Sequence, residues 1–299
     1  MTTPRQLQER RVARLFVLPA LAGLFFFVLL PFVLAVMLSL TNLRLGSPLP
    51  LEYIGIEQYR RIFSDSAFLQ ALANNLLFAL MVVPLQTGLA LALALLINQP
   101  LRARVAFRTL FFMPVVFPLS LVAVVWVLLL APGSQGLFNH VLEHISFGRW
   151  EPVDFLHNTA WALAAIALTS IWQGIGFQMV IFLAALQSIP DELYQAASVD
   201  GANRWQQLLF ITLPQLRNAL VFVVLVTTIL SFRLFDQVQI MTQGGPQHAT
   251  TTVMYEAVTT GFGSQQVARG AAITVVFFVI VLVLTALQRY FLKQEREVE

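Results

Sequence analysis

Six apolar runs, each long enough to cross a bilayer, leave this chain few folds to choose from. They lie near Leu15–Leu40, Leu76–Ile97, Thr109–Leu130, Ala160–Leu186, Asn218–Ile240 and Gly270–Phe291. A hydrocarbon core needs ~20 residues of helix. Transmembrane β-strands would alternate apolar and polar residues over ~10-residue segments, and these runs do not. With 11% charged residues the chain falls well below the roughly one quarter typical of a soluble globule. The expected fold is an all-α polytopic membrane protein with six transmembrane helices. Residues 1–14 and 292–299 are read as tails, and 15–291 as one six-span domain.

Arginine placement sets the orientation. With the N-terminus in the cytoplasm, the inner set is Arg5, Arg10, Arg11, Arg14, Arg102, Arg104, Arg108, Arg204, Arg217, Arg289, Lys293 and Arg296. The outer set is Arg44, Arg60, Arg61, Arg149 and Arg269, with Arg233 inside a span. Twelve against five follows the positive-inside rule, so both termini are expected in the cytoplasm. The net charge of +3 is explained by topology and leaves no nucleic-acid footprint. The stretch "RQLQERRVAR" imitates the start of a secretory signal, but the apolar run after it exceeds the 7–15 residues of a signal core. It is read as a retained first span. With no cysteine, disulfides and thiolate metal sites are excluded.

Between the fourth and fifth runs the chain turns polar. Ser188 with Asp191 reads as a capping pair, and Pro190 suits a first turn. Leu193, Ala196 and Ala197 then share one helical face. Asp200-Gly201 ends that helix, because glycine reaches the left-handed conformation cheaply. A second short helix carries Trp205, Leu208, Leu209 and Thr212 on one face, with Pro214 ending it or starting the next span. On pattern alone this is an amphipathic loop at the membrane surface. Such helices usually have a basic polar face, whereas Arg204 and Arg217 stand here against Asp191, Glu192 and Asp200. The small pair Ala196-Ala197 suits close approach to another protein.

The stretch "LYQAASVDGANRWQQLLFITLP" resembles the EAA loop of ATP-binding-cassette importer permeases, in particular the sugar branch typified by the maltose and glycerol-3-phosphate systems. "FRTLFFMPVVFP", "LAALQSIP" and "FRLFDQVQIMTQGGP" match the same family in order, so the resemblance covers the chain from about Leu15 onward. It implies that loop 188–214 couples to a separate ATPase, with Ala196, Ala197, Asp200, Gly201 and Pro214 at motif positions. The family's usual glutamate is Gln195 here, which removes an ion pair but keeps hydrogen-bonding capacity. The resemblance further implies a second, related but non-identical permease, two ATP-binding subunits that hold ATP and Mg, and an extracytoplasmic solute-binding protein. The cargo would be a sugar, a polyol or a sugar phosphate. The location would be the bacterial cytoplasmic (inner) membrane, amid membrane lipid.

Independently of the family, the chain cannot be a P-loop ATPase. That motif needs a lysine directly after its glycines, and the one lysine, Lys293, follows no glycine-rich run. No cofactor is therefore expected in this chain.

Polar side chains inside spans are expensive unless they face a cavity or another helix. Gln86, Trp172, Gln173, Gln178, Arg233 and Asp236 are pathway candidates, with Phe232 and Phe235 supplying aromatic faces beside Arg233. Sugars are held by planar polar groups and by stacking on aromatic rings. For each glutamine an interhelical hydrogen bond is an equal alternative. Arg233 and Asp236 stand at i, i+3 and are expected to share a face of the fifth span and pair. Two rival classes stay open. "HVLEH" has the H-x-x-E-H spacing of a zinc peptidase, with Glu151, Asp154 or His157 as third ligand, but its loop of 28 residues, 131–158, is short for such a site, and an amphipathic extracytoplasmic helix is the favoured reading. A secondary transporter would break its spans, and Pro84, Pro114 and Pro118 could do so.

Overall fold

The computed structural model describes residues 16–99, 102–133 and 136–292. The tails 1–14 and 293–299, with the arginines and lysine assigned to them, lie outside the described residues. Four uninterrupted helices are long and apolar enough to span a membrane: α1 (Phe16–Ser39), α3 (Ser66–Ile97), α7 (Ala162–Gln187) and α13 (Val267–Leu292). Two bent pairs raise the number of spans to as many as six. One is α4 (Arg104–Val116) with α5 (Leu119–Leu129), bent by 100°; the other is α9 (Arg204–Gln215) with α10 (Arg217–Phe232), bent by 65°. The shorter helices are α2 (Glu57–Phe63), α6 (Leu137–Ile145), α8 (Asp191–Val199), α11 (Asp236–Met241) and α12 (Val253–Val258).

Three spans depart from their expected bounds. The third breaks because Phe117 precedes Pro118, and the residue before a proline is driven to extended backbone, here φ −79° and ψ 141°. The fifth stops at Phe232 rather than running to Ile240, and α11 starts afresh at Asp236. The second begins ten residues before Leu76, so that Asn74 and Asn75 lie inside it. Pro31 within α1 and Pro214 within α9 do not break those helices. A π-helical turn precedes each, at Phe25–Leu29 before Pro31 and at Leu208–Thr212 before Pro214, and the wider turn accommodates a residue that has no N–H to donate.

Contacts divide the chain into two compact units. The first joins the N-terminal 65 residues to Glu256–Phe278. Within it the Ser39 and Tyr59 hydroxyls meet at 2.6 Å, Ala268 N–H donates to Leu43 O at 3.0 Å, and Arg269 pairs with Asp65.

The second unit contains Ser66–Tyr255. Here α3 and α7 run parallel: Phe78 and Val82 share one apolar cluster with Leu163 and Ile166, while Ala90 and Ala94 share another with Met179 and Leu186. The clusters mark its two ends. The first also holds Trp126 and Leu130 and packs Phe138 of α6; the second holds Ile189 and Leu216 and packs Tyr194 of α8. The loop after α5 and the α8–α9 hairpin are therefore at opposite ends. Against α7, α4 crosses closely at Gly176, where a Cβ would lie 1.9 Å from the Phe111 carbonyl oxygen.

Candidate functional site

Two regions of the second unit carry the residues singled out from the sequence. The first is the hairpin of α8 and α9. Its turn follows from local chemistry: Gly201 adopts φ +80°, Ala202 N–H donates to Ala197 O at 2.9 Å, and Gly201 N–H donates to Ser198 O at 3.2 Å. These two bonds form a Schellman motif, which satisfies carbonyls at the end of α8. Ser188 does not cap α8. It terminates α7, its hydroxyl donating to Ala185 O at 2.8 Å, and Pro190 occupies the N-cap position of α8. The cap that forms belongs to α9: Asn203 Oδ1 accepts from Gln206 N–H at 3.0 Å, and Gln206 Oε1 accepts from Asn203 N–H at 2.7 Å. That N-x-x-Q signal was legible in the sequence but was not read.

The hairpin is held from beneath. Tyr194 OH lies 3.0 Å from Thr212 Oγ1, and Gln207 Nε2 donates to Ser198 Oγ at 3.0 Å. Tyr194 was not among the expected residues. Above these ties no residue of α8 is buried: Gln195, Ala196, Asp200 and Gly201 are exposed, and Ala197 is half-buried. Of the face expected on α9, Thr212 is buried and Leu208 half-buried, but Trp205 and Leu209 are exposed. Pro214 does not end α9; the break comes at Leu216, before α10.

The second region is a cavity of about 510 Å³ enclosed by α3, α4–α5, α7, α10 and the start of α11. Gln86, Gln173, Gln178, Arg233, Phe235 and Asp236 all line it. The two other candidates do not. Phe232 is buried, and Trp172 sits edge-on to Trp126, ring centres 5.8 Å apart, in the aromatic cluster around α5.

Two of the three glutamines, Gln173 and Gln178, each spend one amide atom on structure. Gln173 Nε2 donates to Phe117 O at 3.0 Å, and Gln178 Nε2 donates to Thr227 Oγ1 at 2.5 Å. Sequence reasoning missed Ser170 and Gln237, joined at 2.5 Å across the wall, because Gln237 was assigned to the end of a continuous span. Gln173 Oε1, Gln178 Oε1 and Gln237 Nε2 are buried and make no hydrogen bond.

The expected Arg233–Asp236 ion pair does not form. Arg233 caps the end of α10 and Asp236 opens α11, so they no longer share a helical face, and both side chains are exposed. No salt bridge among the described residues joins them. The histidines of "HVLEH" stand side by side on α6 with ring centres 4.4 Å apart. Of the proposed third ligands, Asp154 is already paired with His157 at 3.0 Å, and no group of three suitable ligands occurs among the described residues.

Comparison with known proteins places these features in context. A family described as "Binding-protein-dependent transport system inner membrane component" matches residues 86–297. The sulfoquinovosyl glycerol transport system permease protein SmoG of Agrobacterium fabrum is 34% identical, over 94% of this chain and 90% of that protein. The lactose transport system permease protein LacF of Rhizobium radiobacter is 32% identical, over 94% of each. A chain of the bacterial alginate ABC transporter, solved in complex with an alginate pentasaccharide-bound periplasmic protein, shares the fold. It superposes with a TM-score of 0.83 at 23% identity, over 96% of this chain and 95% of that one.

Proposed function

The chain belongs to the binding-protein-dependent transport system inner membrane components, and from that premise we propose that it is a permease subunit of an ATP-driven sugar importer. Its bundle would form half of a translocation pathway completed by a second, related permease. Two separate ATP-binding subunits would hold ATP and Mg and carry out hydrolysis, and an extracytoplasmic solute-binding protein would deliver the cargo. The basic residues at the hairpin end, Arg104, Arg204 and Arg217 among them, favour a cytoplasmic position for the hairpin and for both termini.

One observation carries this reading. The cavity and the exposed hairpin sit on the same helices, because α7 leads into α8 and α9 leads into α10. A docked ATPase that tilts α8 would pull on the ends of two helices that wall the cavity. ATP binding would then swing the paired permeases from inward-open to outward-open, and hydrolysis would reset them.

The cavity favours an uncharged sugar. Its volume falls within the range of small-molecule sites, and Arg233 and Asp236 balance each other's charge there. The unpartnered amide atoms of Gln173, Gln178 and Gln237 leave hydrogen-bonding capacity that a small side-chain rotation would turn toward hydroxyls. Phe117, Phe177 and Phe235 add aromatic surface.

The test is uptake of neutral glycosides by proteoliposomes holding the assembled complex and its binding protein. Uptake should require ATP and be indifferent to collapse of the ion gradient. Uptake that persists without ATP but vanishes with the gradient would return the chain to the secondary-transporter class.

A further inference from the structure

At the end of the second unit opposite the hairpin, α6 presents an apolar face that nothing among the described residues covers. Leu137, Val141 and Ile145 stand at i, i+4 and i+8 and are 53%, 44% and 69% exposed, and Phe147, just past the helix, is 94% exposed. Only His140 and His144 share that exposed side. The opposite face is fixed. Phe138 packs on Trp126 with ring centres 5.5 Å apart. Asn139, fully buried, donates to Val153 O at 2.9 Å and to Ala131 O at 3.4 Å, and accepts from Val153 N–H at 3.0 Å and Trp150 Nε1 at 3.1 Å. The apolar face is therefore held outward and cannot roll inward to hide.

Its position identifies what covers it. Trp126 lies in the last turn of α5, and Ala131 is two residues past the end of that helix. α6 is thus pinned to the end of the bent pair that makes the third span, where Leu121, Val124, Val125 and Leu128 of α5 are exposed apolar side chains as well. We propose that α6 is an interfacial helix, lying at the membrane boundary with Leu137, Val141, Ile145 and Phe147 dipped among the lipid headgroups and upper acyl chains. α6 lacks the basic polar face that anchors a free-standing amphipathic helix; the Phe138 and Asn139 contacts anchor it instead and leave its apolar face to the interface. The face carries no Lys, Arg, Asp or Glu, and entering the interface takes its apolar side chains out of water. The inference does not depend on the cargo.

The chain has no cysteine, so single spin labels can be placed without background. V141C and I145C would be labelled in the assembled complex, reconstituted in phosphatidylethanolamine–phosphatidylglycerol liposomes. V125C on α5 would serve as a lipid reference and E151C as an exposed-loop reference. The expected result is collisional relaxation by oxygen exceeding that by a water-soluble nickel chelate at 141 and 145, as at 125, with the reverse at 151. Higher nickel accessibility at 141 and 145 would place the face in water and overturn the proposal. An immobilised signal shielded from both reagents would mean that a protein covers it, which overturns the proposal equally. Should a label at 141 disturb folding, Ile145, the more exposed site, gives the same readout.

Discussion

Gln173 on α7 donates from Nε2 to the main-chain carbonyl of Phe117, 3.0 Å away, at the point where the third span turns through 100°. Phe117 is in extended backbone, and Val122 N–H takes Pro118 O at the start of α5, so the Phe117 carbonyl sits outside the helical ladder. A carbonyl outside the ladder needs a donor, and Gln173, itself buried, supplies it across helices in a partly buried bond. Gln173→Leu should therefore destabilise by about 0.5–1.5 kcal/mol, the net worth of a hydrogen bond whose acceptor water can still reach. Gln173→Glu should do no better, since an ionised carboxylate only accepts. The thermal midpoint of the purified complex checks both. A Leu variant as stable as the parent would show that the bond does not hold the break.

The hairpin yields a second prediction. A Cβ at Gly201 would meet no atom within 4 Å, so any penalty for filling that position is conformational and not steric. Gly201→Val should cost on the order of 1–3 kcal/mol and distort the turn, while Gly201→Asn should be tolerated, because asparagine visits the left-handed region. Ala197→Glu was the obvious way to block docking of α8. Ala196, fully outside the hairpin's own packing, is the cleaner probe. Ala196→Glu should leave the spans inserted and abolish co-purification with the ATPase and substrate-stimulated hydrolysis. If both Gly201→Val and Ala196→Glu assemble and couple normally, α8 is not the docking element.

The hairpin and the cavity were not equally legible in the sequence. Gly201 ends α8 through bonds within six residues, so the sequence carries the whole cause. The spans were legible for a similar reason, since apolar length is local. What failed were boundaries set by partners far along the chain. The expected second span, Leu76–Ile97, left Asn74 and Asn75 outside it. In the fold Asn74 Nδ2 donates to His248 O and Thr251 O, at 2.8 and 2.9 Å, and Asn75 Oδ1 accepts from Val253 N–H at 2.8 Å. Once those bonds are made, the asparagines no longer oppose helix. The same holds for the cavity. Six of its polar and aromatic residues were readable as polar groups in spans, but Ser170–Gln237 joins residues on α7 and α11, 67 positions apart.

Gln195 offers a third test. It is exposed on α8, and a neutral amide there makes hydrogen bonds without an ion pair. Docking through this subunit should therefore depend less on salt than docking through a glutamate-bearing partner. Gln195→Glu should be tolerated or should mildly strengthen assembly, with a steeper loss of complex as ionic strength rises. Complete loss of assembly in that variant would contradict the idea.

Arg233 and Asp236 allow the sharpest discrimination, because the structure has removed one reading. Had they formed a buried ion pair, each single neutral substitution would harm assembly and the double one would restore it, since no charge would be left alone. With Arg233 capping α10, Asp236 opening α11 and both exposed at the cavity, that rescue is not expected. Arg233→Gln and Asp236→Asn should each leave the amount of complex and its basal ATPase activity unchanged. Each should raise the half-saturating sugar concentration, by about tenfold per 1.4 kcal/mol of lost interaction. Because both would act on the same ligand, the departure of the double variant from the sum of the singles measures their coupling, on the order of 0.5–3 kcal/mol for groups sharing a partner. The measurements are transport kinetics on the two single variants and the double variant, with complex yield as the control. Recovery of assembly in the double variant would restore the ion-pair reading and show that the two charges meet in another state of the transporter. Unchanged affinity in all three would remove both residues from the sugar's path.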